Sequence, residues 1–197
     1  MANYTAIYSV GNSIAQALEN AYPPALNTLF PCRFQVVSSS EIATEDTTTT
    51  PLDQVVSIYL HRVTINDNFR AATSLQDGPD RLPVVFLDLH YLISYWGTGA
   101  QAEHTILGWT IQQLQSFPIL DSSVLTPDGG WDATESLQLV MADLTLEDIL
   151  RIWDGLGPKY RLSVAYTARV VRLDRTITGG GPVVATRFNW ELAGGAA

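Results

Sequence analysis

Charge is scarce in this sequence. Asp, Glu, Lys and Arg make up 16% of its 197 residues, against roughly a quarter in an average soluble protein, so much of the surface must be neutral polar or apolar and suited to being covered by other subunits. Basic residues are the scarcer kind, with 11 Lys and Arg against 20 Asp and Glu and a net charge of −9. No Lys/Arg cluster occurs along the chain, and binding along a phosphate backbone would need one, so nucleic acid is not an expected partner. The single cysteine, Cys32, cannot form an internal disulfide and has no Cys-x-x-Cys neighbour to share a metal; it reads as a small buried hydrophobe. The longest apolar run, Leu82 to Trp96, is interrupted by Asp88 and His90 and falls short of the roughly 20 residues a membrane-crossing helix needs. Met1 to Gly11 lacks the basic region and apolar core of a secretory signal, so the expected place of synthesis is the cytoplasm.

Catalytic and cofactor motifs are missing as well. There is no Gly-x-Ser-x-Gly elbow, Gly97-Thr98-Gly99 lacks the third glycine of a dinucleotide fingerprint, and no lysine follows it as a phosphate loop requires. The three histidines, His61, His90 and His104, fall on three different elements without the short helical spacing that pre-sets zinc geometry. Asp88 and His90, two apart on one strand face, could pair near Tyr59 or His61 as an acid and base. The plainer meaning is a polar sheet face whose histidine bonds locally. No catalytic residue, metal or cofactor is expected.

What is present is a core. Hydrophobic residues are 46% of the chain, ample for one domain of this length. Ile7, Val10, Ile14, Ala17 and Ala21 recur at steps of three and four, predicting a first helix over Tyr4 to Ala21, with Asn3 as cap and Pro23-Pro24 as its end. Arg33 to Ser38 is a short strand, and Ser38 to Pro51, rich in Ser, Thr and acid, reads as a solvent loop. Val55 to Ile65 is apolar in both registers, as in a strand covered on both faces. From Val85 to Ile93 the alternation is clean, with Asp88 and His90 on the second face. Thr98 to Gln101 reads as a capping box for a helix to about Ser116. Leu137 to Met141 is a short strand, Thr145-Leu146-Glu147-Asp148 opens a third helix carrying Ile149, Ile152, Trp153 and Leu156, and Gly157-Pro158 ends it. Tyr160 to Arg172 is the clearest strand, with Tyr166, Ala168 and Val170 inward. The order predicts an α+β fold, a mixed or antiparallel sheet against about three helices, over residues 1–178.

After Gly179-Gly180-Gly181-Pro182, Val184, Thr186, Phe188 and Trp190 alternate with polar residues. Residues 179–197 therefore read as a glycine-linked tail, either an arm that adds a strand to another subunit or a hairpin partner of Tyr160 to Arg172. Of the five tryptophans, Trp109 and Trp153 fall on or beside helix core stripes. Trp96, Trp131 and Trp190, near loops or the terminus, are candidate subunit contacts together with Val184 and Phe188.

Four blocks together carry a family resemblance: Ile7-Tyr8-Ser9-Val10-Gly11-Asn12-Ser13-Ile14; Val56 to Thr64; Leu87-Asp88-Leu89-His90-Tyr91-Leu92-Ile93 with Ile106-Leu107-Gly108; and Arg151-Ile152-Trp153-Asp154 leading to Tyr160 to Tyr166. In this order the chain from about Tyr4 to Asp174 resembles the tube terminator, or cap, proteins of phage-tail-like extracellular contractile injection systems of the virulence-cassette and antifeeding-prophage type. The resemblance implies a fold like that of phage tail terminators and no catalytic residues. It implies a ring of identical subunits, taken as a hexamer, on the distal end of the inner tube, anchoring the last sheath layer of a particle assembled in the bacterial cytoplasm. The partners it implies are the tube protein, the sheath protein and the chain itself. Rival readings are another ring-forming tail component, such as a baseplate or tube-initiation adaptor, and a small hydrolase using Asp88 and His90.

Overall fold

A computed structural model describes residues 2–43, 52–66 and 84–173. Six strands form one mixed sheet: β1 (Arg33–Val37), β2 (Val55–Ile65), β3 (Val85–Trp96), β4 (Ile119–Leu120), β5 (Leu137–Ala142) and β6 (Ser163–Leu173), in the order β1-β2-β3-β6-β5-β4. Only β1 and β2 run parallel; the other neighbours are antiparallel. The helices are α1 (Ala6–Ala21), α2 (Pro24–Leu29), α3 (Ser39–Ala43), α4 (Ala100–Ser116) and α5 (Leu146–Leu156). The α+β expectation holds, with three helices of eleven or more residues and two short ones.

The larger core lies on one face of the sheet. Odd residues of β3, Leu87 to Tyr95, meet Val10, Ile14 and Leu18 of α1 and Ile106, Leu107 and Leu114 of α4. The buried stripe of α1 is thus centred on Val10, Ile14 and Leu18, with Ile7 at its margin. Gly11 is where the helix comes closest to the sheet, since a Cβ there would lie 3.3 Å from Val36 Cγ2 and 3.4 Å from Tyr91. Tyr22, Phe34 and Trp109 pack their rings 4.9 to 5.7 Å apart and tie α1, β1 and α4 together. Cys32 is buried in this core, and desolvation pushes its thiol up to about 12, so it stays protonated.

The second face carries a smaller core of Val37, Ile42, Leu52, Val55, Leu92, Trp96, Trp153 and Leu156, under α3 and α5. Three serines stand in one cross-strand row, Ser57 beside Ser94 beside Ser163. The Trp96 indole N–H donates to Ser57 Oγ at 2.8 Å, and that of Trp153 to Ser163 Oγ at 3.1 Å. Ser94 and Ser163 share a hydrogen bond of 2.8 Å, and the two indoles lie 5.7 Å apart. The row provides acceptors for both rings on a floor low enough to admit them.

Three local expectations need correction. Thr98 makes no cap: the N-cap of α4 is Gly99, at φ +95°, with no side-chain hydrogen bond. Helix α1 ends at Ala21 as expected, with Tyr22 and Pro23 extended, and Pro24 then opens α2, where its missing N–H costs nothing. The start of the expected solvent loop is the helical turn α3, capped by Ser38 and Glu41, whose carboxylate accepts from Ser38 N at 2.7 Å, and its Ile42 is buried. In β6 a bulge places two residues opposite Asp88, so the inward position after Ala168 is Val171 rather than Val170.

At the sheet edge, the outward N–H of Phe34 in β1 donates to Glu19 Oε2 of α1 at 2.9 Å. The last residues, including the expected tail 179–197, lie outside the described residues.

Replacing Trp96 by Ala should lower stability by roughly 3–5 kcal/mol, the usual cost of emptying so large a buried volume. Urea unfolding at constant m-value measures it; a change under 1 kcal/mol would contradict the central place of this indole.

Candidate interaction surfaces

Trp96 is fully buried and cannot be a subunit contact in this fold. It reads as a loop residue because Gly97 follows it, yet β3 continues through it and its ring turns under α5. The guanidinium of Arg161 stacks 4.4 Å above it. Trp131 is different. It is half-buried and sits on a loop, with its indole N–H donating to Ser9 Oγ at 3.0 Å. Val184, Phe188 and Trp190 lie outside the described residues.

The loop that carries Trp131 is fastened to α1 by buried hydroxyls. Ser9 Oγ bonds Thr126 O at 3.0 Å and Thr126 Oγ1 at 2.7 Å, and Thr126 N donates to Ser13 Oγ at 2.8 Å. Asn3 N donates to Gly129 O at 3.1 Å, and Thr5 Oγ1 donates to Asp128 O. Gly129 lets the loop come this close: a Cβ there would overlap the Trp131 ring and stand 2.9 Å from Ser9 Oγ. Tyr4 and Tyr8 project into solvent beside this junction, 85% and 61% exposed. Tyr8 lies off the buried stripe of α1, and Tyr4 stands in the turn just before the helix.

The histidine pair forms a second surface. A bulge at His61 in β2 brings its ring within 6.1 Å of His90 in β3, whereas His104 is exposed on α4, across the sheet. Thr64 Oγ1 lies 2.8 Å from His90 Nε2 and Thr167 Oγ1 lies 3.2 Å from Nδ1. One nitrogen donates and the other accepts, so both are spent on sheet-face hydrogen bonds. Asp88 is held by the Asn66 amide at 3.0 and 3.1 Å and stands 3.9 Å from Arg169. Asp88 and His90 thus each have structural partners and do not bond one another. Burial, followed by the charges of His90 and Arg62, pushes His61 down to about 4; burial and Arg62 also lower His90, against the opposing pull of Asp88.

No group of three or more His, Cys, Asp or Glu among the described residues could hold a metal, and no helix among them is long and apolar enough to cross a membrane.

The architecture defines an α+β scaffold whose polar side chains are tied mainly to one another. The chain belongs to the Pvc16 N-terminal domain family, whose sequence model matches residues 9–186. No curated protein sequence matches it. Among solved structures it is similar to the cap of the anti-feeding prophage, described as a tube terminating cap, at TM-score 0.51 and 17% identity over 91% of this chain and 60% of that one. It is also similar to a sheath/tube terminator of an extracellular contractile injection system in the extended state, at TM-score 0.47 and 17% identity over 94% of this chain and 65% of that one. The chain spans less than two thirds of either solved protein.

A histidine whose folded pKa is depressed leaves the unfolded chain binding more protons between about 4 and 6.5. Stability should therefore fall as pH drops across that window, and His61→Gln should flatten this slope relative to the wild-type chain. Urea midpoints from pH 7 to 4.5 check it; parallel curves for the two proteins would refute it.

Proposed function

We propose that this chain is a non-catalytic tube terminator, a protein that forms a ring on the distal end of the inner tube of a contractile injection system, stops its growth and anchors the last sheath layer. The observation that carries this reading is the family match over residues 9–186, together with the likeness in fold to the anti-feeding prophage cap. The ring is expected to be a hexamer, assembled in the bacterial cytoplasm with tube and sheath protein as partners.

The physics of such a role suits the chain. A tube grows because each layer exposes a surface that accepts the next, and growth stops when a bound ring presents a face that does not. Several subunits in one ring bind several tube subunits at once, so a modest contact per subunit becomes strong. Low charge content favours burying much of the surface between subunits. In this reading residues 179–197 form an arm in which Val184, Phe188 and Trp190 add a strand to a sheath or neighbouring subunit, with affinity from main-chain hydrogen bonds. Trp131 is the remaining candidate contact on the domain itself.

Mixed with tube and sheath subunits, the purified chain should appear by electron microscopy as rings at tube ends and should limit tube length. A chain that stays monomeric and leaves tube growth unchanged would refute the proposal. Deleting Val183 to Ala197 should preserve the ring and abolish sheath attachment; an unfolded deletion product would replace the arm with a hairpin strand.

A further inference from the structure

Charge is segregated along this chain. Residues 82–150 contain nine Asp and Glu and no Lys or Arg, whereas residues 151–197 contain seven Lys and Arg against three Asp and Glu. Among the described residues, the fold sets part of the acidic stretch and two arginines, Arg62 and Arg169, on opposite sides of the sheet.

Four of the nine carboxylates, Asp121, Asp128, Asp132 and Glu135, lie on the segment between β4 and β5. Part of that segment is the loop fastened to α1 through Ser9, Ser13 and Thr126, so it belongs to the side of the sheet that α1 covers. Local hydrogen bonds fix the acids: Asp121 accepts from Ser123 N at 2.9 Å, Asp132 from Thr134 N at 3.2 Å, and Glu135 from Asp132 N at 2.6 Å. The same bonds lower the pKa of Asp121 and Asp132, so these two remain anionic. The loop thus carries exposed carboxylates, Asp128 and Asp132 among them, on either side of the half-buried Trp131.

Among the described residues, the other side of the sheet is covered only in part. The smaller core under α5 ends near Leu92, and beyond it the face carries His90, Thr64, Thr167, Arg62 and Arg169. Both arginines are exposed. The carboxylate opposing them among the described residues of this half-face is Asp88, already held by Asn66. Val140 of β5, beside Thr167, adds an exposed apolar group to its rim.

We propose that this half-face, through Arg62 and Arg169, receives the acidic loop of a second copy of the chain, through Asp128 and Asp132. The two surfaces are different and lie on opposite sides of one sheet, which is the head-to-tail relation that propagates around a ring rather than closing a two-fold dimer. The acids of α5 are poorer candidates for the same role. They sit on the same side as the half-face, Glu147 is engaged by Arg151 at 2.6 Å, and Asp148 serves the cap at Thr145. Complementary charge would set the order and orientation of subunits, with Trp131 and Val140 supplying apolar contact. This inference rests on the ring reading above and identifies the surfaces that make the ring.

The test uses the full chain with tube protein present, and two variants, Arg62→Glu/Arg169→Glu and Asp128→Arg/Asp132→Arg. Each alone juxtaposes like charges at every contact and should reduce the ring fraction about tenfold or more at equal concentration. An equimolar mixture should restore rings, because alternating subunits place Glu against Arg at one contact and the native pair at the next. The fourfold variant in one chain should restore them also. Circular dichroism establishes that each variant folds; if one does not, Arg62→Gln/Arg169→Gln replaces the first and Asp128→Asn/Asp132→Asn the second. With those neutral forms the support is a weaker loss of rings relative to the wild-type chain, largest at low salt and shrinking as salt screens the wild-type contact. Rings that persist in both variants, or that are lost and not restored by mixture or fourfold exchange, overturn the inference while leaving the terminator reading intact. A wild-type chain that makes no ring with tube protein overturns both.

Discussion

The two indoles on the serine row are the contact on which the architecture turns. A six-stranded sheet has two faces to cover, and α1 with α4 covers one. On the other, the eleven-residue helix α5 can settle beside the short α3 only where the strands leave room and offer acceptors. Ser57, Ser94 and Ser163 do both at once, since a serine is small enough to let Trp96 and Trp153 down onto the backbone and polar enough to accept their N–H groups. Larger apolar residues at these positions would lift the indoles and leave their donors buried without partners. Because β3 lies beneath both coverings, the position of α5 and that of α1 are fixed through one strand.

The same economy governs the other buried polar groups. Ser9, Ser13 and Thr126 join α1 to a loop more than a hundred residues away, and His90 joins β2 to β6 through two threonines. Each set satisfies its members within the sheet and its coverings, so these residues that look like chemistry in one dimension act as fasteners in three. Hydroxyls and imidazoles paired in this way make the fold specific, because any other register would leave them unsatisfied.

Much of the fold was legible because it is periodic. The limits of β2 and the identity of Trp153 as a packing residue follow from alternation and from a helical step of three and four. What escaped the reading depends on contacts between distant segments. A bulge in β6 exchanges Val170 for Val171, and no local pattern announces it because the extra residue is defined by the partner strand. Trp96 is followed by Gly97-Thr98-Gly99, the signature of a loop, and only the arrival of α5 makes it a core residue. The outward position of Tyr8 is legible as a gap in the apolar stripe of α1, whereas that of Tyr4 depends on the turn before the helix. Surfaces are the least legible part, since Arg62, Arg169 and Asp132 become a site only when the sheet has sorted them onto opposite sides.

The carboxylate of Glu19 over the edge of β1 has a bearing on the life of the unassembled chain. An open strand edge is a template on which identical molecules can stack. By occupying the Phe34 N–H, Glu19 withdraws one rung from the edge and sets a fixed anion beside it. A strand stacking on this edge would have to do without that rung.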